Sequence, residues 1–368
     1  MATNLGNELA RLGHQVHFIA YEQPFRLDLA ARNIHFHKVN INTYGLFKYP
    51  DYTLPLAVTI EQVQKKYDLD VLHVHYAVPH ATAALLARRI MRQNNVRMPR
   101  VVTTLHGTDI TLLARDKNLL DIVKYSIERS HCVTAVSRDL KRETIQVLKT
   151  KKPISVVYNF YTPLPASKSR PAVRKGLGIS AGGGSAFGGK DSDFLAIHLS
   201  NLRPVKKIPD LLKIAALLKP VKNFKLLILA GEPFDQFLPL AKKLKLNNLI
   251  VKANVKDIEN YLNAADAGIY TSETESFGMG ILETMAYKKP VLATNAGGIP
   301  EVLQNGKSGY LLKVGDTKGF AEKIKLLMQN PELAARLGQN AQNVAQEKFS
   351  AKVIVKEYLK HYCEACGQ

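Results

Sequence analysis

Glu275 and Glu283, which enclose seven residues, are the side chains with the clearest chemical use in this sequence. Each carboxylate can accept hydrogen bonds from the hydroxyl groups of a ligand. Ser276 is placed to cap a helix that starts just after it, and Gly278 and Gly280 would let a ligand approach the backbone. Free N–H groups at such a helix start bind a diphosphate or the oxygens of a sugar. The spacing fits equally well two solvated glutamates on a surface helix, one of them near its N-terminal dipole.

His106 is the second candidate, in a His-Gly-Thr-Asp segment that directly follows a predicted strand. Loops at strand ends commonly carry functional side chains. The alternative is a tight turn at Gly107, with Asp109 capping the next segment.

Three other histidines, His73, His75 and His80, could suggest a metal site. His73 and His75 point to one face of their strand, because side chains alternate along a strand. No carboxylate or cysteine accompanies them at the spacing of a metal site. Hydrogen-bonded core histidines are therefore favoured, and we predict no metal site.

The elements that would position these side chains alternate between short apolar runs and helical patterns. Strands are predicted at 15–20, 34–39, 71–75, 101–104, 133–136, 155–158, 194–199, 225–230, 249–251, 267–270, 291–294 and 309–312. Helices are predicted at 81–93, 118–130, 138–148, 208–218, 237–244, 255–264, 278–287, 318–329, 331–348 and 353–363. This alternation predicts an α/β protein with two doubly wound parallel sheets. Ligands of such folds bind at the carboxyl ends of the strands, here in a cleft between the halves.

The alternation breaks over 162–193, where a glycine-rich run at 182–189 predicts a linker or an exposed loop. The predicted organisation is an N-terminal domain at 1–160, a linker at 161–192, a C-terminal domain at 193–349, and a last helix at about 350–364 that packs back on the N-terminal domain.

The chain opens on a helical pattern, with Leu5, Leu9 and Leu12 spaced for one apolar face. A doubly wound domain normally opens with a strand and a glycine-rich turn. The N-terminal domain is therefore predicted to lack its first strand.

Composition excludes several classes of protein. The 368 residues are 46% hydrophobic, which argues against a disordered chain. No apolar run approaches the roughly 18 residues that span a bilayer, and three cysteines suit a reducing, cytoplasmic compartment. The simplest explanation of the net charge of +20 is an ordinary solvated basic surface. The charge also favours anionic partners, and a weak contact with an anionic membrane is the next explanation. No zinc finger, basic zipper or RNA-binding pattern is present, so nucleic acid is not predicted as a partner.

The C-terminal half resembles the retaining glycosyltransferases of family 4, which have the GT-B fold of two Rossmann-like domains facing a cleft. The resemblance rests on the Glu-x7-Glu spacing described above and on segments 201–207, 296–302 and 306–311. It extends over almost the whole chain. The sequence departs from the family at the insertion 182–189 and in the first strand with its glycine-rich loop, which are not found before the first helix.

The N-terminal half is similar to the members of this family that use L-malate in bacillithiol biosynthesis, through segments 73–80, 103–111, 133–137 and 157–160. The resemblance implies transfer of N-acetylglucosamine from its UDP donor to the hydroxyl of L-malate, with retention at the anomeric carbon. The donor phosphate would accept the acceptor's proton, while the enzyme supplies positioning and charge stabilisation. The resemblance also implies a homodimer that needs no cofactor and no metal.

The resemblance assigns Arg203 and Lys206 to the donor diphosphate, where a guanidinium fork and an ammonium charge help UDP to leave. Lys207 competes with its neighbour for this role, because spacing cannot separate adjacent residues. The alternative is a solvated basic loop.

The resemblance further implies that Glu283 holds the ribose hydroxyls and that His106 faces the donor sugar near the reacting carbon. Glu275 would bind hydroxyls of that sugar, beside the backbone amides of Phe277, Gly278 and Met279. Catalysis is thus expected to depend on His106, Glu275, Arg203 and Lys206.

An acceptor with two carboxylates needs cations or hydroxyls, and the resemblance points to Tyr76, Thr108 and Lys124. An exposed helical position is an equally good explanation for Lys124. Two other functions stay open at this point: a family 4 enzyme with a different, membrane-linked acceptor, and a truncated fragment that binds UDP without turnover.

Overall fold

The computed structural model describes residues 1–24, 26–41, 51–180 and 192–367. The chain forms two compact units. Unit 1 comprises Met1–Phe160 and Ala351–Gln368, and unit 2 comprises Tyr161–Ser350. The first unit is therefore discontinuous in sequence, whereas the second is one uninterrupted segment.

Unit 1 contains short parallel strands alternating with helices. The strands are β1 (Val16–Ala20), β2 (Ile34–Lys38), β3 (Val71–His75), β4 (Arg100–Leu105), β5 (Cys132–Ala135) and β6 (Ser155–Val156). The helices are α1 (Ala2–Arg11), α2 (Thr53–Tyr67), α3 (Thr82–Gln93), α4 (Thr108–Thr111), α5 (Leu120–Arg129) and α6 (Arg138–Leu148). The side chains of β4 are buried from Val101 to Leu105, as expected for a parallel strand covered on both faces.

The strands of unit 1 form two separate parallel sheets, β1–β2 and β3–β4–β5–β6. A cavity of about 1460 Å³ is lined by every residue of both β1 and β3, together with residues of α1 and α2. In the described part of the chain, no strand pairs with the edges of β1 and β3 that are turned away from β2 and β4. The first element is the helix α1, as predicted. The strands β1 and β3 belong to different sheets.

Unit 2 contains a single six-stranded parallel sheet in the order β12-β11-β10-β7-β8-β9. Its strands are β7 (Phe194–Ser200), β8 (Phe224–Ala230), β9 (Leu249–Ala253), β10 (Ala267–Tyr270), β11 (Val291–Thr294) and β12 (Gly309–Leu312). Its helices are α7 (Arg170–Gly176), α8 (Ile208–Leu217), α9 (Leu238–Lys243), α10 (Ile258–Ala264), α11 (Met279–Ala286), α12 (Ile299–Val302), α13 (Thr317–Gln329) and α14 (Pro331–Phe349). One core cluster joins α8 and α13 to this sheet through Leu211, Ile228 and Ile324.

Residues 161–180 belong to unit 2 and not to a linker. The helix α7 lies in the stretch that was predicted to be an exposed loop, and Arg174 on this helix is fully buried. Its guanidinium pairs with Asp266 at 3.2 Å, and Arg170 reaches the same carboxylate. These buried ion pairs hold the segment against the sheet. The glycine-rich run 182–189 falls outside the described residues.

The last helix, α15 (Ala351–Cys366), belongs to unit 1. Its residues Ile354, Val355 and Tyr358 are buried in one cluster with Leu5 of α1 and Phe160. The end of the chain thus completes the core of the unit in which the chain begins. No helix within the described residues is both long and apolar enough to cross a membrane.

The divided sheet of unit 1 gives a prediction for amide hydrogen exchange. We expect the amides of β1 to exchange at least ~100-fold faster than those of β4 in the same unit, because local opening is easiest where a strand is paired on one side only. Exchange followed by mass spectrometry would measure this difference. Equal protection of β1 and β4 would show that the free edge of β1 is paired in solution.

Candidate active-site residues

The loop after β7 brings a basic side chain onto the first glutamate of the Glu-x7-Glu segment. Lys206 Nζ donates to Glu275 Oε2, and the two side chains are 20% and 19% exposed. At this degree of burial, solvent screens the attraction between the two charges only in part. The pair therefore orients both charged groups at a moderate energetic cost. The structure therefore brings together two of the predicted catalytic residues.

Backbone contacts tie the loop after β7 to the loop after β10. The amide of Glu273 donates to Val205 O at 2.7 Å, and Thr271 Oγ1 donates to Lys206 O at 3.0 Å. Lys207 lies 3.7 Å from Glu273 in a more exposed pair. The two neighbouring lysines thus face different glutamates, which the sequence alone did not resolve.

Arg203 is exposed at the start of this loop. Its side chain forms no hydrogen bond or ion pair with the residues that the structure describes. Leu202, the preceding residue, is buried and anchors the loop. The guanidinium is therefore available to a ligand, and no contact yet joins it to Lys206 or Glu275.

The helix that follows Glu275 starts later than predicted. The first helical residue of α11 is Met279, and Gly278 occupies the N-cap position at φ 100° without a side-chain cap. The predicted cap by Ser276 is therefore wrong, because Ser276 lies two residues before the N-cap. The first-turn N–H groups of α11 receive no side-chain cap, as an anion site at a helix start requires.

Phe277 and Gly280 contribute differently from the prediction. The Phe277 side chain is 2% exposed and packs against Phe349, so only its backbone could meet a ligand. A Cβ on Gly280 would lie 2.9 Å from both Leu199 O and the Tyr270 ring. Gly280 therefore allows α11 to approach the sheet, and the approach of a ligand to its backbone stays a prediction.

A second glycine fixes the position of Glu275. Gly297 has a φ of 55°, and a Cβ there would lie 2.2 Å from Glu275 O. The next amide, Gly298 N, donates to the same carbonyl at 2.8 Å. The segment 296–302 thus supports the backbone of Glu275, which gives its two glycines a structural role.

Glu275 and Glu283 both act on a buried tyrosine. Burial raises the pKa of Tyr270 far above its usual value, and the charges of Glu283 and Glu275 raise it further. The hydroxyl of Tyr270 contacts Thr284 Oγ1 at 2.7 Å and donates to Gly280 O at 2.6 Å. The two glutamates therefore lie within electrostatic reach of one phenol.

His198 was not predicted as a site residue. It lies on β7, shortly before the basic loop. Its Nδ1 contacts Ile269 O at 2.8 Å, and its Nε2 contacts Ser200 Oγ at 2.7 Å. Burial lowers its pKa to about 4, so the ring is neutral at pH 7 and both nitrogens are used. A histidine inside the otherwise apolar strand run was the sequence signal that could have found it.

In unit 1, His106 lies directly after β4 and beside the last residue of β3. Its Nε2 is 2.8 Å from His75 Nδ1, and its ring centre is 5.0 Å from that of Tyr76. Burial lowers the pKa of His106 to about 3. The ring is thus neutral at physiological pH and cannot serve as a fixed positive charge.

Asp109 holds this loop in a way that the sequence did not predict. Its carboxylate is fully buried and accepts from Gly107 N at 3.0 Å and from Ala77 N at 3.2 Å. The predicted alternative was a cap on the following segment, whereas the observed bonds join the ends of β3 and β4. Asp109 therefore clamps the two loops that carry Tyr76 and His106.

The three predicted acceptor residues are only partly brought together. The Tyr76 ring lies beside that of His106 at an angle of 46°, and Thr108 is the first residue of α4, two positions after that histidine. Lys124 lies partly exposed on α5. Within the described ranges, no hydrogen bond or ion pair joins Lys124 to Tyr76 or Thr108.

The clustered histidines of β3 do not form a metal site in the described residues, where no group of three or more His, Cys, Asp or Glu side chains could hold an ion. His73 uses both ring nitrogens, at 2.7 Å from Tyr362 Oη and 2.7 Å from Thr104 Oγ1. It is a hydrogen-bonded core histidine.

The buried carboxylate gives a prediction for stability against pH. Burial raises the pKa of Asp109 to about 6, while the N–H groups that it accepts oppose this shift. The carboxyl of the unfolded chain titrates near pH 4, so between about pH 4 and pH 6 the folded chain binds the proton more tightly than the unfolded chain does. This group therefore stabilises the fold as pH falls. We expect the advantage of wild type over Asp109→Asn to grow by about 1.4 kcal/mol from pH 7.5 to pH 5. Urea unfolding at both pH values would measure it, and a constant difference would contradict the assignment.

Comparison with known proteins identifies the family. Residues 1–163 match the family model "Glycosyltransferase Family 4", and residues 186–344 match the model "Glycosyl transferases group 1". The chain is 38% identical over 365 residues to N-acetyl-alpha-D-glucosaminyl L-malate synthase of Bacillus anthracis, covering 98% of this chain and 92% of that protein. It is 28% identical to the putative glycosyltransferase EpsD of Bacillus subtilis strain 168, covering 82% and 78%.

Solved structures agree on the fold. A glycosyltransferase from Rickettsia africae matches with a TM-score of 0.76 at 23% identity, covering 98% of this chain and 93% of that chain. Anabaena HepE in complex with UDP-glucose matches with a TM-score of 0.74 at 19% identity, covering 95% and 99%. With two Rossmann-like units, both family models matched and a relative that is 38% identical over nearly its full length, the chain belongs to the family 4 glycosyltransferases and has the GT-B fold.

Proposed function

We propose that this chain transfers N-acetylglucosamine from UDP-N-acetylglucosamine to the hydroxyl of L-malate, with retention at the anomeric carbon. The observation that carries the proposal is the 38% identity over 98% of the chain to a protein named for this product. Five candidate residues support it, because they follow the carboxyl ends of parallel strands, where ligands of such sheets bind: Tyr76, His106, Arg203, Lys206 and Glu275.

Arg203 and Lys206 hold the donor diphosphate in this proposal. The exposed guanidinium of Arg203 can form a fork with one phosphate, and Lys206 supplies a point charge. Lys206 is favoured over Lys207 because its ammonium is already oriented by Glu275 next to the start of α11. Binding of the diphosphate would give Lys206 a second anionic partner.

Glu275, Glu283 and the start of α11 hold the sugars of the donor. Glu283 accepts from the ribose hydroxyls, and Glu275 accepts from the hydroxyls of N-acetylglucosamine. The amides of Phe277, Gly278 and Met279 lie at the uncapped helix start, where N–H groups favour anionic and hydroxyl oxygens.

The transfer step needs no protein nucleophile. The bond from the anomeric carbon to the diphosphate oxygen breaks, and the malate hydroxyl oxygen bonds to the same face of that carbon. The hydroxyl proton passes to the departing diphosphate, which leaves as UDP. Arg203 and Lys206 stabilise the charge that develops on the leaving group, and neutral His106 contacts the sugar near the reacting carbon.

Malate would be held by Lys124, Thr108 and Tyr76, through one cation and two hydroxyls that suit its carboxylates. No cofactor and no metal are part of the proposal. A homodimer follows from the family resemblance, and the net charge of +20 supports a weak contact with an anionic membrane. The three cysteines are free thiols, which fits a cytoplasmic reaction.

The direct test is release of UDP from UDP-N-acetylglucosamine by the 368-residue chain, with and without L-malate. We expect release that requires malate and a glycosylated malate product with the α configuration. Release with a lipid-linked sugar but not with malate would select the membrane-linked acceptor. Binding of UDP without release with any acceptor would select the inactive fragment.

Variants of the basic loop test the donor site. We expect Arg203→Ala and Lys206→Ala each to lower kcat/KM by about 100-fold, because each removes charge stabilisation of the leaving group. Lys207→Ala should cost less than Lys206→Ala, since only Lys206 is paired with Glu275. Lys242→Ala, on the exposed face of α9, is the matched control for loss of one positive charge. Equal effects of the control and the loop variants would refute the donor assignment.

A further inference from the structure

His75 and His106 form a direct ring-to-ring contact between two neighbouring strand ends. The register of β3 and β4 places His75 opposite Thr104, so that His106 extends just beyond it. The atoms His75 Nδ1 and His106 Nε2 are 2.8 Å apart, which is hydrogen-bond distance. The ring planes are tilted by 31°.

This contact couples the tautomers of the two rings. Burial lowers the pKa of both histidines, and the charges of neighbouring histidines add to the effect at His75. Between two neutral imidazoles, one nitrogen donates and the other accepts. The proton between the rings therefore decides whether the opposite nitrogen of His106, Nδ1, is an acceptor or a donor.

His106 Nδ1 is the open end of this pair. Among the residues that the structure describes, no group bonds to it, and it is not a buried unsatisfied atom. The exposed Tyr76 lies beside the His106 ring, and the clamp by Asp109 fixes the loop that carries it. His106 thus presents one ring nitrogen outward and has the other held by His75.

His73, on the same strand as His75, is a histidine with both ring nitrogens hydrogen-bonded. It lies two residues earlier on the same face of β3, with its ring centre 4.5 Å from that of His75. Both of its nitrogens are used by Tyr362 and Thr104 inside unit 1. His73 therefore supports the core, whereas the pair of His75 and His106 ends at His106 Nδ1, to which no described residue bonds.

We propose that His75 is a positioning residue, which holds His106 Nε2 and thereby sets the tautomer and the ring orientation that His106 Nδ1 offers to the donor sugar. This inference rests on the proposed function, in which His106 faces that sugar. His75 itself touches no substrate in this arrangement.

The tautomer of His106 can be read without any substrate. In protein labelled with ¹⁵N-histidine, we expect His106 to show one fixed tautomer, because its tautomer can change only together with that of His75. His75→Leu should change the nitrogen shifts of His106, whereas His75→Asn, which keeps a polar atom near the position of Nδ1, should largely preserve them. His73→Asn is the matched control on the same strand face. It should lower the melting temperature and leave the His106 tautomer unchanged.

Kinetics give the second readout. We expect His75→Leu to lower kcat about 10- to 100-fold with KM for UDP-N-acetylglucosamine changed by less than about 3-fold, since positioning acts on the transition state. The double variant His75→Leu/His106→Ala should be no slower than His106→Ala, because the two rings act as one unit. His75→Asn should recover most of the activity.

The outcomes separate this inference from the proposed function. A folded His75→Leu protein with the wild-type His106 tautomer would overturn the inference, whatever the activity. Additive losses in the double variant would overturn it as well. Absence of malate-dependent release in wild type would overturn the proposed function, while the tautomer measurement would still decide whether His75 holds His106.

Discussion

Parallel strand pairing is the constraint on which the candidate site depends. All pairings between the described strands are parallel, so the carboxyl ends of the strands in each sheet meet at one edge. In unit 2 this brings the loop after β7 to the loop after β10, and the ion pair of Lys206 and Glu275 follows. In unit 1 it brings His75 at the end of β3 to His106 after β4. Residues far apart in sequence become neighbours because neighbouring strands end together.

Buried polar side chains reinforce this edge in both units. His198 and Tyr270 use hydrogen bonds to backbone and hydroxyl groups at the ends of β7 and β10, and burial keeps both neutral. In unit 1, the buried carboxylate of Asp109 accepts hydrogen bonds from two loops. Such buried groups are costly unless they are hydrogen-bonded, so their partners restrict the loops to one arrangement. These hydrogen bonds thus fix the loops that carry the candidate residues.

The periodicity of the sequence predicted the strands well, because a buried parallel strand is a short apolar run. The run 71–75 and helix 138–148 were placed with the bounds that the structure shows. The helix α2 was missed although Leu56, Ile60 and Val63 bury one face of it. The helix α7 was missed because its anchor is an arginine, and sequence patterns do not reveal that Arg174 is buried on Asp266.

The site was predictable in composition and less so in geometry. The Glu-x7-Glu spacing and the basic loop were visible, yet spacing could not decide between Lys206 and Lys207, since their glutamate partners depend on backbone contacts such as that of Glu273 with Val205. The cap by Ser276 failed because a glycine in a left-handed conformation starts α11 instead. Local rules gave the residue types, and long-range contacts determined their partners.

The return of α15 to unit 1 has a consequence for synthesis of the chain. Unit 2 is one continuous segment, so it can fold as soon as its last strand and helices have left the ribosome. Unit 1 begins before unit 2 but lacks the residues that bury Leu5 and Phe160 until Tyr358 has been made, after the whole of unit 2. Domains usually fold in the order in which they are made. In this chain the core of unit 1 can be completed only after α15 has been made, and therefore after unit 2.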